Sequence, residues 1–374
     1  MRKLLLTVSL AALMTSPAFA DNSKSTITQK DLNNTAQVLQ TGAKLGGTSE
    51  ITQSGSIQNA VVTQSDDGGR VNSKLTANAS VITQSGSANL ATVDQIAETI
   101  DRVNSSKITQ SGSLQKATLV QRDDGQVSTI EQGGTKQVAT VTQGRAQSND
   151  TSWYNGSAVK QYGAANTATV TQLGYRNDSA IDQNGTNLSA TVTQAEGMHN
   201  ASSFITQTGN DNVAKVNQGG TLGSQSTITQ GGSFNTANVN QSNFDNNSNV
   251  NQTGTVNIAQ VDQIGHGGGA SAFQSGNHQY AELNQSGTSN TAGFTQSGAY
   301  QLAYATQSGT GNSSDITQSG QLQYATVTQS GNANASTINQ TGNTYNYAVV
   351  SQTTNGNTSA ITQNGAGLIA VVHQ

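Results

Sequence analysis

The 374-residue sequence contains no cysteine and a single proline, and aromatic side chains make up only 4% of it. Without cysteine, neither disulfides nor thiolate metal sites can stabilise the chain. With apolar residues at 32%, a conventional hydrophobic core cannot be assembled either. Abundant Gly, Ser, Asn and Gln are typical of disorder, but disordered chains are also rich in proline and charge. Charged residues amount to only 10% here, so this is not the composition of a disordered chain. The stability of the fold has to come from repetition.

Basic residues are missing from the C-terminal part of the chain. The last one is Lys215, and the charged side chains after it are Asp245, Asp262, Glu282 and Asp315. A basic nucleic-acid surface is therefore excluded there, and we expect no nucleic-acid partner to be required. The four histidines are scattered, and the glycine run 267–269 lacks the lysine of a phosphate-binding loop. The sequence predicts no catalytic, cofactor-binding or metal-binding residue and no enzyme activity.

The only proline lies in an N-terminal segment that begins with two basic residues, continues with an apolar run at 4–14 and ends in Ala20. This order is typical of a secretory signal peptide. The run is too short to span the roughly 30 Å hydrocarbon core of a membrane. We predict that residues 1–20 are a signal peptide and that residues 21–374 are exported.

A repeat fills the exported chain. Asn-x-Ser-x-Ile-x-Gln-x-Gly followed by Asn-x-Ala-x-Val-x-Gln recurs fifteen times with variations. The second glutamine follows the first by eleven residues, except in the fourteenth unit, where Gln340 and Gln352 are twelve apart. In each unit, alanine stands four residues before the second glutamine, whereas serine usually stands four residues before the first. The period is therefore 22 residues, made of two non-equivalent halves.

Within each half, the recurring residues occupy every second position, which is the signature of a β-strand. The glycine two residues after the first glutamine permits a turn, since glycine adopts positive φ without steric cost. Each repeat therefore forms one strand-turn-strand coil. A single coil cannot bury its apolar face, but coils stacked about 4.8 Å apart place each side chain on its copy in the next coil. The sequence predicts an all-β, cross-β (amyloid-type) β-solenoid of about fifteen 22-residue strand-turn-strand coils.

Stacked glutamines are predicted to form ladders in which each amide donates to its copy above and accepts from its copy below, with the asparagines stacked likewise. The predicted ladder residues are Gln230, Gln252, Gln274, Gln296, Gln318 and Gln340, and Gln241, Gln263, Gln285, Gln307, Gln329 and Gln352. The predicted core residues are Ser226, Ile228, Ala237, Val239, Ala259, Val261, Ile316, Ala325, Val327 and Ile338. The predicted turn glycines are Gly232, Gly254, Gly276, Gly298, Gly320 and Gly342.

The spacing of the repeats divides the single solenoid domain, 21–374, into two parts. In 218–374 successive glutamines are eleven or twelve apart, which predicts a regular, uninterrupted stack. In 21–217 the charge is higher, and longer gaps follow Gln64, Gln95 and Gln143. We expect these gaps to be surface loops.

Strands of this form behind a signal peptide resemble the curlin repeat of curli, the bacterial extracellular amyloid fibre subunits. The resemblance covers nearly all of 22–374, although the Gly-rich segment that precedes the first repeat in curli subunits is missing here. It implies a secreted structural subunit that passes through the periplasm and polymerises into extracellular, cell-surface fibres for biofilm formation, adhesion and cell aggregation. It also implies a nucleator subunit, a periplasmic chaperone, an outer-membrane export pore and a matrix polysaccharide as partners. Both a major subunit and a nucleator fit the repeat.

Neither end of the repeat array shows a polar cap, and we expect each end to template another copy head to tail. Outward tyrosines beside the core alanine, Tyr280, Tyr324 and Tyr347, are either lateral bundling contacts or ordinary strand residues. One alternative is a monomeric ice-binding or carbohydrate-binding solenoid, because outward threonine pairs such as Thr140 and Thr142 would form a hydroxyl array. Threonine is also simply a good exposed strand residue. An adhesin for a host or matrix ligand is a third reading.

Overall fold

The structure is a computed structural model that describes residues 23–42, 47–66, 78–97, 103–123, 125–144, 154–197, 199–220, 222–342 and 344–374. The predicted signal peptide lies outside these residues. The part of the chain that is described includes no helix of the length and apolarity needed to cross a membrane.

The described residues form thirty strands, β1 to β30 in chain order, divided between two fifteen-stranded sheets. The first sheet consists of β1 (Lys24–Gln29), β3 (Thr48–Ser56), β5 (Ala79–Ser87), β7 (Ser105–Ser113), β9 (Val127–Thr135), β11 (Gly156–Ala164), β13 (Asp178–Thr186), β15 (Ser202–Asn210), β17 (Gln225–Gln230), β19 (Asn247–Thr255), β21 (Gly269–Asn277), β23 (Thr291–Ala299), β25 (Ser313–Gln321), β27 (Ala335–Gln340) and β29 (Thr358–Gln363).

The second sheet consists of β2 (Thr35–Gly42), β4 (Asn59–Asp66), β6 (Leu90–Ala97), β8 (Lys116–Arg122), β10 (Val138–Gln143), β12 (Thr167–Gln172), β14 (Ser189–Gln194), β16 (Val213–Gln218), β18 (Thr236–Ser242), β20 (Ile258–His266), β22 (Tyr280–Thr288), β24 (Leu302–Gln307), β26 (Tyr324–Gln329), β28 (Tyr347–Gln352) and β30 (Ile369–His373). One strand of each sheet and the turns that join them make one coil of the solenoid.

Every strand runs parallel to its neighbours, and equivalent repeat positions face each other. Ile316 pairs with Ile338, and Gln230 pairs with Gln252. The extra residue of the fourteenth unit is absorbed in the turn between β27 and β28, because β26 and β28 stay in register. The predicted all-β solenoid with two strands per 22-residue coil is confirmed.

The core lies between the two sheets and joins them in one continuous cluster. The first sheet contributes serine, isoleucine or valine, and glutamine; the second contributes alanine, valine and glutamine. Phe294 is the largest fully buried side chain. Ala272 pairs with it in the preceding coil, and Ala305 takes the valine position of the second sheet in its own coil. Two small residues therefore compensate for the volume of the ring, as close packing requires.

The loops predicted after Gln64, Gln95 and Gln143 lie largely outside the described residues. The division into a loop-bearing part, 21–217, and a regular part, 218–374, stays a prediction.

Candidate functional site

A chain of glutamine side chains runs along the whole first sheet, one from each coil, between Gln29 and Gln363. The Nε2 atom of each glutamine donates to the Oε1 atom of the glutamine in the next coil over 2.6 to 2.9 Å. The structure places Gln230, Gln252, Gln274, Gln296, Gln318 and Gln340 in this first ladder. It has no gap between its two end residues.

The second sheet carries an equivalent second ladder from Gln40 to Gln374, with Nε2 to Oε1 distances of 2.7 to 3.0 Å. Its members include Gln241, Gln263, Gln285, Gln307, Gln329 and Gln352. Two parallel ladders therefore pass through one core.

From Gln53 in the first ladder and Gln64 in the second, each ladder amide also connects the two sheets. Gln252 Nε2 donates at 3.0 Å to the carbonyl oxygen of Thr236, where β18 of the second sheet begins. Gln263 Nε2 donates at 3.2 Å to the carbonyl oxygen of Asn247, where β19 of the first sheet begins. Both N–H groups and the oxygen of a buried amide are thereby paired, which removes the penalty of about 1 to 3 kcal/mol for an unsatisfied group.

Both ladders have a direction. In every step the coil nearer the N-terminus donates and the coil nearer the C-terminus accepts. Aligned hydrogen-bonded amides polarise one another, so the chain of bonds is stronger than its isolated members. The first coil presents Oε1 of Gln29 at one end of the rod, and the last coil presents Nε2 of Gln363 at the other. The two ends are complementary, acceptor against donor.

The asparagines differ from the prediction that they stack on their copies. Asn235 Nδ2 donates to the carbonyl oxygens of Gly231 and Gly254, at 2.8 and 3.2 Å, and its backbone N–H donates to Oδ1 of Asn212 at 2.9 Å. The asparagine side chain is too short to reach its copy while also bonding the turn. It therefore fastens the turn of its own coil to the next coil through backbone groups.

The predicted core residues are all buried: Ser226, Ile228, Ala237, Val239, Ala259, Val261, Ile316, Ala325, Val327 and Ile338. The serine column faces the second ladder, as Ser203 shows by donating to Oε1 of Gln218 at 2.8 Å. Ser226 Oγ has no hydrogen-bond partner among the described residues. The serine hydroxyls are thus less consistently paired than the glutamine amides.

The turns contain more residues in the left-handed conformation than the glycines that the sequence predicted. Gly232, Gly254, Gly276, Gly298 and Gly320 have φ values from 89° to 143°, but φ of Gly342 falls outside the left-handed region. A Cβ on Gly254 would collide with the backbone of Gly276 in the next coil, so close stacking also demands glycine. A second turn position also has positive φ, although in most turns it is not occupied by glycine. It lies immediately before the asparagine or glutamine that precedes the next strand; Val256, with a φ of 56°, is an example. The residues at this position vary too widely to have revealed this from sequence.

Tyrosines form a ladder on the outer face of the second sheet over four consecutive coils. The ring centroids are 5.5 Å apart for Tyr280 and Tyr304, 5.7 Å for Tyr304 and Tyr324, and 4.9 Å for Tyr324 and Tyr347. The hydroxyl of Tyr280 donates to Glu282 at 2.8 Å. Burial, and then this hydrogen bond to a carboxylate, raise the pKa of Tyr280 to about 12. Burial also raises the pKa of Tyr304 and Tyr324.

The threonine array predicted on the second sheet is short. Thr140 and Thr142 pair with Thr169 and Thr171, which in turn pair with Thr191 and Thr193. In the next strand of the sheet, Lys215 and Asn217 take the corresponding positions. The array therefore covers three coils.

Two segments of the chain, residues 155–195 and 287–320, match the family model described as the Curlin associated repeat. Each matched segment contains strands from both sheets and glutamines from both ladders. Both segments therefore carry the curlin associated repeat. Curlin repeats are structural rather than enzymatic, and the family is that of extracellular curli fibres. No curated protein matches the chain.

Among the described residues, no group of three or more His, Asp or Glu side chains is placed to hold a metal ion.

Proposed function

We propose that this chain is a structural subunit of a secreted, curli-like functional amyloid that self-assembles head to tail into extracellular fibres. The fibres serve biofilm formation, surface adhesion and cell aggregation, and the chain performs no catalysis. The observation that carries the proposal is the direction of the two glutamine ladders, because it makes the ends of one rod complementary.

The backbone at the two ends supports the same proposal. Among the described residues, β1 and β2 each pair with one strand, and so do β29 and β30. An unpaired parallel edge is a template for another chain. In β30 the inward residues Ala370 and Val372 are only partly buried, whereas their equivalents in the preceding coil, Ala348 and Val350, are fully buried. A second copy stacked on β29 and β30 would cover these side chains and accept the donors of Gln363 and Gln374.

A contact of this kind adds copies along one axis and does not close into a ring, so the product is a filament. The partners that we propose are further copies of this chain, a nucleator subunit, a periplasmic chaperone and an outer-membrane export pore. A matrix polysaccharide is a further proposed partner. The proposed location is the cell surface, reached through the periplasm after removal of residues 1–20.

Seeded growth tests the proposal. Residues 21–374 are diluted out of denaturant, and sedimentable mass is followed over time with and without preformed seeds. We expect a lag that seeds abolish. Gln363→Leu removes the donor that would reach Gln29 of the next copy, so we expect slower seeded elongation.

Thr362→Val is the matched control, because Thr362 neighbours Gln363 in β29 but points to solvent. We expect this variant to elongate like the unmodified chain. Equal elongation rates for Gln363→Leu and Thr362→Val would show that the glutamine ladder does not contribute to fibre elongation. A folded chain that stays monomeric with seeds would overturn the fibre proposal itself.

A monomeric ice-binding or carbohydrate-binding solenoid is the second candidate, and the in-register threonines of β10, β12 and β14 are the observation that favours it. Regularly spaced hydroxyls suit an ordered water lattice or a sugar chain. If the chain stays monomeric, this array becomes the surface to test with Thr169→Ala and Thr171→Ala.

A further inference from the structure

The tyrosine ladder holds two phenol rings in an arrangement that oxidation can make permanent. Tyr324 and Tyr347 are direct register partners in the neighbouring strands β26 and β28. Their ring centroids are 4.9 Å apart and their planes differ by only 7°. Among the described strand registers, this is the one place where tyrosine pairs with tyrosine.

We propose that Tyr324 and Tyr347 are an oxidative cross-linking site, at which a peroxide-dependent haem peroxidase joins the two rings as dityrosine. The bond would tie two successive coils together covalently in a chain that has no cysteine. It forms within one chain and does not depend on fibre assembly.

The chemistry balances with the peroxide as the two-electron oxidant. Each phenol loses one electron and one proton and becomes a phenoxyl radical. The unpaired electrons combine in one carbon–carbon bond between ring positions ortho to the hydroxyls. The two hydrogens on these carbons then move to the oxygens, which restores both phenols. One hydrogen peroxide takes up the two electrons and two protons and becomes two molecules of water.

The ladder geometry favours this pair over the other stacked tyrosines. Tyr280 and Tyr304 are tilted by 40°, and Tyr304 and Tyr324 by 41°, at longer centroid distances. Parallel rings at the strand spacing bring equivalent carbons close together, whereas tilted rings do not. Tyr347 is also 41% exposed, so its radical can be generated by an oxidant in solution.

The carboxylate of Glu282 provides a second place in the tyrosine ladder where a radical can form. Tyr280 donates its hydroxyl proton to Glu282 at 2.8 Å, so an electron can leave this ring as its proton moves to the carboxylate. The radical can then pass along Tyr304 to Tyr324 over steps of less than 6 Å between centroids. Coupling occurs where the rings are parallel.

The experiment treats folded residues 21–374 with hydrogen peroxide and a haem peroxidase, then measures dityrosine fluorescence and maps cross-linked peptides by mass spectrometry. Chymotrypsin or thermolysin is needed, since the chain has no Lys or Arg after Lys215. We expect the dominant cross-linked peptide pair to contain Tyr324 and Tyr347. Tyr324→Phe and Tyr347→Phe keep the ring stack but remove a hydroxyl, and each should lose most of the fluorescence.

Tyr345→Phe is the matched control, because Tyr345 is 67% exposed in the adjacent turn. We expect this variant to keep the fluorescence. The same reaction on the chain in denaturant should give no preferred pair. Equal fluorescence in Tyr324→Phe and Tyr345→Phe, or cross-links that map mainly to other tyrosines, would overturn the proposal.

Discussion

The glutamine amide is the residue-scale unit on which this fold depends. Gln230 accepts from Gln207 and donates to Gln252, both at 2.8 Å, and donates to the carbonyl of Val213 at 3.0 Å. The buried Asn235 also makes three side-chain hydrogen bonds, but all of them are to backbone groups. The neighbour of Gln230 in β17, Ser226, is equally buried but has no hydrogen-bond partner among the described residues.

Replacement of these two residues should have very different effects. Gln230→Leu leaves a donor of Gln207 and the oxygen of Gln252 unpaired in the core, and we expect a loss of about 2 to 5 kcal/mol. Ser226→Ala removes an unpaired hydroxyl and matches Ala270 and Ala292 in the same column, so we expect a change below about 1 kcal/mol. Denaturant unfolding midpoints compare the two. Equal losses would mean that the ladder adds nothing beyond side-chain volume.

The left-handed residues store strain that a single substitution can relieve. Val256 is β-branched and has a φ of 56°, a conformation that costs an ordinary L-residue about 1 to 2 kcal/mol. Asn187 takes the equivalent position in another coil. We expect Val256→Asn to raise the free energy of unfolding by about 1 kcal/mol.

Val213→Asn is the matched control for this prediction. Val213 is similarly exposed, at 41%, but lies in β16 with extended backbone. There asparagine is a poorer strand residue than valine, so the same substitution should be neutral or destabilising. If both variants shift the unfolding midpoint in the same direction, strain at Val256 is not the cause.

At the scale of the strand, the ionisation of Tyr280 in β22 makes the stability of the fold depend on pH. The folded chain holds the proton of Tyr280 up to a pKa of about 12, whereas an unfolded tyrosine releases it near pH 10. Below about pH 10 both states are protonated and the stabilisation is complete; it is lost as the pH rises from about 10 to 12. The hydrogen bond to Glu131 raises the pKa of Tyr162 to about 12 and acts in the same direction.

We therefore expect the unfolding midpoint to fall between neutral pH and about pH 11. The fall should be smaller in Tyr280→Phe, which cannot ionise, and in Glu282→Gln, which removes the carboxylate beside the phenol. An identical fall in all three chains would show that other groups control the alkaline transition.

Strand positions were predictable from the sequence because a period of two fixes which side chains face inward, and the invariant offset of Ala237 from Gln241 fixes the register. The turns were not equally predictable. Phe234, Val256 and His278 all adopt positive φ at one repeat position, so no residue type marks it. The role of Asn235 was also missed, because alternation places its side chain inside but does not say whether it bonds to its copy or to the backbone.

At the scale of the whole molecule, the rod combines uniform internal bonding with an uneven distribution of charge. Every coil repeats the same two ladder steps, so neither end is distinguished by its hydrogen bonds except through their direction. The charge differs, because four acidic residues and no basic ones follow Lys215. Charged side chains on strands hinder pairing with other chains.

The last prediction follows from that asymmetry and concerns where assembly begins. We expect residues 218–374 to nucleate fibres more readily than residues 21–217, because their repeats are evenly spaced and carry few charges that oppose strand pairing. Deletion of 218–374 should therefore lengthen the unseeded lag more than deletion of 21–217, measured at equal molar concentration. Added salt screens charge repulsion and should shorten the lag of 21–217 more than that of 218–374. A lag that is unchanged when 218–374 is deleted would place nucleation in the charged part of the chain.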